Sequence, residues 1–132
     1  MQEVWSAPVR YIECDQQGIA FNSHYLAWCD EAVSGWLAVR GTPYESVLER
    51  GLDTRVVGSE LAWSAPARWG DAVTVDAECA RVGTSSFAVR FHVRVADRLC
   101  CTVTTTYVLV DSAGPTPVPD DLRAAWLDQT AG

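Results

Sequence analysis

Between residues 11 and 32 the chain reads YIECDQQGIAFNSHYLAWCDEA. An acid, Asp15, is followed by Gly18, then by the polar run Asn22-Ser23-His24, then by apolar residues at helical spacing. A carboxylate just ahead of a helix start has a chemical partner at hand. The first N–H groups of a helix lack intrahelical acceptors, and the positive end of the helix dipole lies there. A carboxylate can attack a carbonyl carbon or deprotonate water. Free N–H groups can take the negative charge that then develops on oxygen. A turn at Gly18 would fold Asp15 back towards Asn22. The plain alternative is that Asp15 only begins a turn, as aspartate often does. No Ser-His-Asp set and no GxSxG elbow is present, so a hydrolase built on this chain would use a carboxylate.

Other groups near this segment have two readings each. His24 lines a site or is a structural histidine in the first helical turn, and Tyr25 packs in the core or faces a ligand. Asp30 and Glu31 form a solvated or interface face of the helix. Trp28, Trp36, Trp63 and Trp69 shape a pocket suited to an aromatic or flat group or fill the core and a subunit interface. The five cysteines are odd in number and form no CxxC pair, and only two histidines are present. That pattern reads as reduced thiols, with no metal site, no disulfide framework and no cofactor.

The elements that must position these groups follow from periodicity. From Asn22 or Ser23, either a plausible N-cap, apolar residues recur at three and four up to Arg40, which predicts a helix of about five turns. Gly41 and Pro43 stop it. The apolar residues occupy more than one face, which predicts burial on most sides. A strand is expected over 3–12, with Pro8 at an edge or bulge, and a short helical piece over 44–50. Beyond it the period changes to two. Strands are expected over 54–64, 72–82, 87–96 and 99–110, with GTSS at 83–86 as a hairpin turn. DSAGPTPVP closes the sheet, and a short helix is expected over 120–127. The sum is one α+β domain over residues 1–132, an antiparallel sheet wrapped around a long helix.

Composition excludes several function classes. The formal net charge is −7, which opposes non-specific nucleic-acid binding and an anionic membrane surface. All ten basic residues are arginine, so anion contacts must come from arginine or backbone N–H. The first ten residues, MQEVWSAPVR, carry an early acid and no apolar core of a leader, and no run is long enough to span a bilayer. A soluble, cytoplasmic protein is expected.

The segment CDQQGIAFNSHYLAWCDEA, followed in order by PARWGDAVTV, VGTSSFAVRFHV and CCTVTTTYVLVDSAGPTPVPDDLR, resembles the hotdog-fold thioesterases of the 4-hydroxybenzoyl-CoA thioesterase type over roughly residues 3–125. The resemblance implies a hotdog fold, a homodimer or homotetramer with sites at the subunit interface, and hydrolysis of an acyl thioester to acid and thiol. It places Asp15 on the catalytic aspartate, as nucleophile or general base. It places Asn22 where backbone N–H polarises the thioester carbonyl, with His24 beside it. A related hotdog subgroup places its catalytic carboxylate on this helix instead, which would let Asp30 or Glu31 assist or replace Asp15. Gly18, Tyr25, Trp28, Ser85 and Ser86 fall on substrate-contacting positions. Some relatives carry arginines in the turn where this chain has Gly83-Thr84. A carrier-protein-bound acyl group is therefore an alternative to acyl-CoA, with Arg68, Arg81 and Arg90 as nearby charge. A non-catalytic acyl-thioester binding module is the reading outside enzymology.

Overall fold

A computed structural model describes residues 1–128. Strand β1 covers Gln2–Pro8, and a single 3-10 turn covers Tyr11–Glu13. Helix α1 is Asn22–Val39 and α2 is Tyr44–Glu49. The strands β2 Asp53–Trp63, β3 Ala72–Val82, β4 Ser86–Val95 and β5 Arg98–Asp111 follow. A two-residue β6, Gly114–Pro115, and helix α3, Asp120–Leu127, complete the order.

All strands pair antiparallel in one sheet, in the order β1-β3-β4-β5-β2, with β6 on β5. The alternation foreseen in β3 and β4 is what one buried face requires. Val73, Val75, Ala77 and Cys79 point inward, as do Phe87, Val89, Phe91 and Val93 on the neighbouring strand. Cys101, Val103, Tyr107 and Leu109 continue the inner face on β5. Against it lies α1, with Tyr25, Trp28, Cys29, Ala32, Trp36 and Leu37 buried at helical spacing. The result is the sheet curled round a central helix, the hotdog architecture in the α+β class.

Four sequence expectations change. The first strand ends at Pro8, because Val9 N–H bonds Asp71 O and the chain then tightens into the 3-10 turn. The α1 cap is Phe21, with extended backbone and no side-chain cap bond; Asn22 and Ser23 lie inside the helix. α1 is buried along one stripe only, since Ala27, Asp30, Glu31, Ser34 and Ala38 face outward. The sheet covers one side of the helix and leaves the other open. Finally, the chain after β5 returns as β6 rather than simply leaving the sheet.

The far end of α1 is closed by aromatic packing. Trp126 of α3 lies 4.4 Å from Phe87 and 5.9 Å from Trp36, ring centre to ring centre. Its Nε1–H donates to Thr42 Oγ1 at 3.0 Å. A buried indole needs that acceptor, so one hydrogen bond places α3 over the core. Among the described residues, no helix is long and apolar enough to cross a membrane.

Candidate active site

Asp15 opens a four-residue turn. Its carbonyl accepts from Gly18 N–H at 3.1 Å, and its Oδ1 accepts from Gln17 N–H at 2.8 Å. Gly18 has φ +74°, a left-handed value that favours glycine, and it lets the chain reverse within this span. Asp15 N–H then donates to Ile19 O at 2.9 Å, and Cys14 pairs with Ala20. The turn therefore folds back on itself and delivers the chain into α1 beside its own start. Asp15 is exposed to solvent.

The turn is anchored to the loop between β2 and β3. Ala20 N–H bonds Ala67 O at 2.8 Å, Trp69 N–H bonds Gly18 O at 3.0 Å, and Ile19 pairs with Arg68. Tyr25, from the first turn of α1, completes the anchor: its hydroxyl accepts Ala67 N–H at 3.0 Å. Burial pushes the Tyr25 phenol up, with the Ala67 bond acting in the opposite sense, so it stays neutral.

At the start of α1, His24 N–H donates to Phe21 O at 3.0 Å and Phe21 N–H donates to Glu13 O at 2.9 Å. Neither is available to a ligand. Among the described residues, the N–H groups of Asn22 and Ser23 have no backbone acceptor. They are the open donors at the positive end of an 18-residue helix. A cavity of about 300 Å³ lies beside Asn22, lined by Ile19, Ala20, Asn22, Tyr25, Trp63, Ser64, Ala65 and Pro66. No lining residue is charged. Such a surface, part aromatic and part polar, suits an uncharged group.

The tryptophans separate. Trp63 lines the cavity with its ring edge-on to Tyr25 at 6.3 Å. Trp28 stands behind Tyr25 at 5.0 Å. Trp36 packs at the opposite end of α1, and Trp69 lies on the surface, 63% exposed, edge-on to Tyr11.

Ser85 sits in the β3–β4 turn and Ser86 opens β4; Ser85 O accepts Leu109 N–H and Ser86 O accepts Gly83 N–H. The Asp15 turn bonds the loop that leads into the other end of β3, an 11-residue strand. At about 3.3 Å per residue the two places are roughly 35 Å apart. The structure does not bring them together within one chain. Arg90 is paired with Glu78 at 2.9 Å on the outer face of the sheet, and Arg81 is exposed at the end of β3. Asp30 and Glu31 lie on the open side of α1; packing raises the Asp30 carboxyl above its ordinary range. Among the described residues no cluster of metal-ligating side chains occurs.

Sequence reasoning missed Glu13. It is 4% exposed, its Oε1 accepting Arg10 N–H and its Oε2 accepting Trp28 Nε1–H, both at 2.8 Å. Burial pushes its carboxyl up, but those two bonds and the Arg10 guanidinium at 3.4 Å outweigh it and hold it below the usual range. An acid three residues after Arg10 was the one visible hint, since a glutamate at that spacing can reach back to the Arg10 N–H.

A curled antiparallel sheet around a long helix, with an uncharged cavity beside the helix start, defines a hotdog-fold protein. A family model described as the thioesterase-like superfamily matches residues 9–126. The chain belongs to that superfamily, and thioester hydrolysis is the class of reaction it carries. It is 24% identical over 121 residues to "Putative acyl-CoA thioesterase YneP" of Bacillus subtilis (strain 168), covering 91% of this chain and 86% of that one. Among solved structures, a hypothetical protein from Thermus thermophilus matches with a TM-score of 0.87 and 29% identity, covering 95% of this chain and 97% of that one. A 1,4-dihydroxy-2-naphthoyl-CoA thioesterase from Synechocystis matches in fold with a TM-score of 0.80, 20% identity and 96% of both chains.

Proposed function

We propose that this protein hydrolyses an acyl-CoA thioester to free acid and coenzyme A, with Asp15 as the attacking or base carboxylate. The observation that carries the reading is the fold-back of the Asp15 turn onto a helix start whose Asn22 and Ser23 N–H groups are open. The acyl group lies in the cavity walled by Tyr25, Trp63 and Pro66. Its carbonyl oxygen points to the Asn22 N–H, which stabilises the oxyanion of the tetrahedral intermediate. Asp15 either adds to the carbonyl carbon, expelling the thiolate and leaving a mixed anhydride for water to cleave, or takes a proton from the water that adds. The names of the Bacillus and Synechocystis proteins support acyl-CoA as the substrate class.

The working unit in this reading is a homodimer or a larger assembly of such pairs, with the site at its interface. β2 is an 11-residue edge strand with Val56, Val57 and Trp63 exposed. Long apolar edges are templates for pairing with another chain. Antiparallel pairing of two β2 strands sets the Asp53 end of one beside the Trp63 end of the other. That carries the Ser85 end of one subunit towards the Asp15 end of its neighbour, where Ser85 and Ser86 contact the coenzyme.

The carrier-protein reading keeps one observation. The 83–86 turn has no arginine of its own, and the Arg123 guanidinium beside it is engaged by Val82 O and Gly83 O. Thiol release on benzoyl-, phenylacetyl-, short- and long-chain acyl-CoAs, beside the same acyl groups on a carrier protein, tests both. Turnover of at least one acyl-CoA with kcat/KM above its carrier counterpart is expected. Turnover of the carrier substrates alone moves the assignment to the second reading, and binding without turnover of either defeats both.

A further inference from the structure

We infer that Glu13 is a positioning residue that fixes the catalytic turn against α1; the inference rests on the assignment of Asp15 above. Three of the hydrogen bonds at this residue tie its surroundings together. Its side chain accepts Arg10 N–H from the start of the 3-10 turn and Trp28 Nε1–H from the second turn of α1, each at 2.8 Å. Its backbone oxygen accepts the N–H of Phe21, the α1 cap, at 2.9 Å. Glu13 thus joins the segment leading to Asp15 to two separate points on the helix that carries the oxyanion donors. Asp15 is two residues further along.

A buried carboxylate is a costly way to hold a turn unless its geometry does something a neutral group cannot. Here both oxygens accept from fixed N–H donors at the same time. A glutamine can present one oxygen; its amide nitrogen would then face the second N–H as donor against donor. The charge therefore has a purpose that size alone does not meet. Trp28 extends the hold. Its ring lies 5.0 Å from Tyr25, whose hydroxyl accepts Ala67 N–H, and Ala67 O accepts Ala20 N–H at the end of the catalytic turn. The chain of contacts leaves Glu13 on one side of the turn and returns on the other. Misplacement of a reacting group by about 1 Å can cost about 10²-fold in rate.

The test compares wild type with Glu13→Gln, Trp28→Phe, the double variant and Asp15→Asn. The substrate is the best of benzoyl-, phenylacetyl- and octanoyl-CoA, and amide hydrogen exchange is measured in parallel. Glu13→Gln is expected to lower kcat at least tenfold with KM within about twofold, and to speed exchange at Asp15, Gly18 and Phe21 while the β4 and β5 amides keep wild-type protection. Trp28→Phe keeps an aromatic ring and loses the donor, so it is expected to lower kcat by less, and the double variant is expected to be no slower than Glu13→Gln. Wild-type kcat and wild-type exchange in a folded Glu13→Gln variant would overturn the inference. So would an activity loss that only follows the unfolded fraction. An active Asp15→Asn variant sinks the assignment of Asp15 itself; an inactive one beside a fully active Glu13→Gln sinks only the role of Glu13. If no acyl-CoA is turned over, the exchange data alone decide whether Glu13 holds the turn.

Discussion

In the proposed mechanism Asn22 acts through its backbone, which yields an uncommon kind of test. It is the first helical residue, and proline is well tolerated there because its missing N–H has no intrahelical partner. Phe21 is already in the extended conformation that a following proline requires, with φ −68° and ψ 148°. Asn22→Pro should therefore fold, and should lower kcat by roughly 10²–10³-fold, the usual cost of one oxyanion donor. Asn22→Ala should stay within a few-fold of wild type, and steady-state kinetics on both variants check the pair. Glu13 makes a second prediction. Its folded carboxyl lies below the ordinary 4.5, so the stability it contributes is complete above that pH and is lost as pH falls through the lower folded value. The melting-temperature gap between wild type and Glu13→Gln should be widest near pH 7 and shrink below about pH 4.5. Asp15 was visible in the sequence because a carboxylate, a glycine and a helix start are all local features. Glu13 was not, because its partner Trp28 is fifteen residues away and nothing in a linear pattern marks that bond.

At the scale of elements, α1 and β1 meet through Gly35. A Cβ at this position would collide with the Val4 carbonyl oxygen and lie 3.2 Å from the carbonyl carbon. Helix propensity alone would favour Gly→Ala by about 1 kcal/mol. Backbone contact reverses the sign. Gly35→Ala should destabilise by about 1–3 kcal/mol, the usual cost of overpacking, read as a lower midpoint in urea with an unchanged slope. The strands β3, β4 and β5 were legible because one buried face forces a period of two. The long helix was legible because its apolar residues repeat at three and four. The open side of α1 was not. Leu26, Val33 and Val39 add apolar residues beside the buried stripe, and a sequence alone does not say whether the sheet or another chain covers them. The cap failed for a related reason. Asn22 and Ser23 have the chemistry of caps, but the Phe21 N–H bond to Glu13 O sets the helix start one residue earlier.

At the scale of the molecule, the exposed β2 edge is where the proposed pair forms. Val57 falls at the register shift of β2 and is 61% exposed, so Val57→Lys should disturb the edge with little cost to the single chain. A shift of the solution mass towards one chain, read by light scattering, is expected together with a drop in specific activity that rising protein concentration reverses. A variant that stays paired, or a monomer with full activity, would remove the interface from the site. The central claim is that Asp15 drives thioester hydrolysis. The most direct measurement is kcat for thiol release by Asp15→Asn against wild type, on the acyl-CoA that wild type turns over fastest. A fall of roughly 10²–10⁴-fold, the range for loss of a positioned base, with KM little changed, is the predicted result. Wild-type kcat in the Asp15→Asn variant would contradict it.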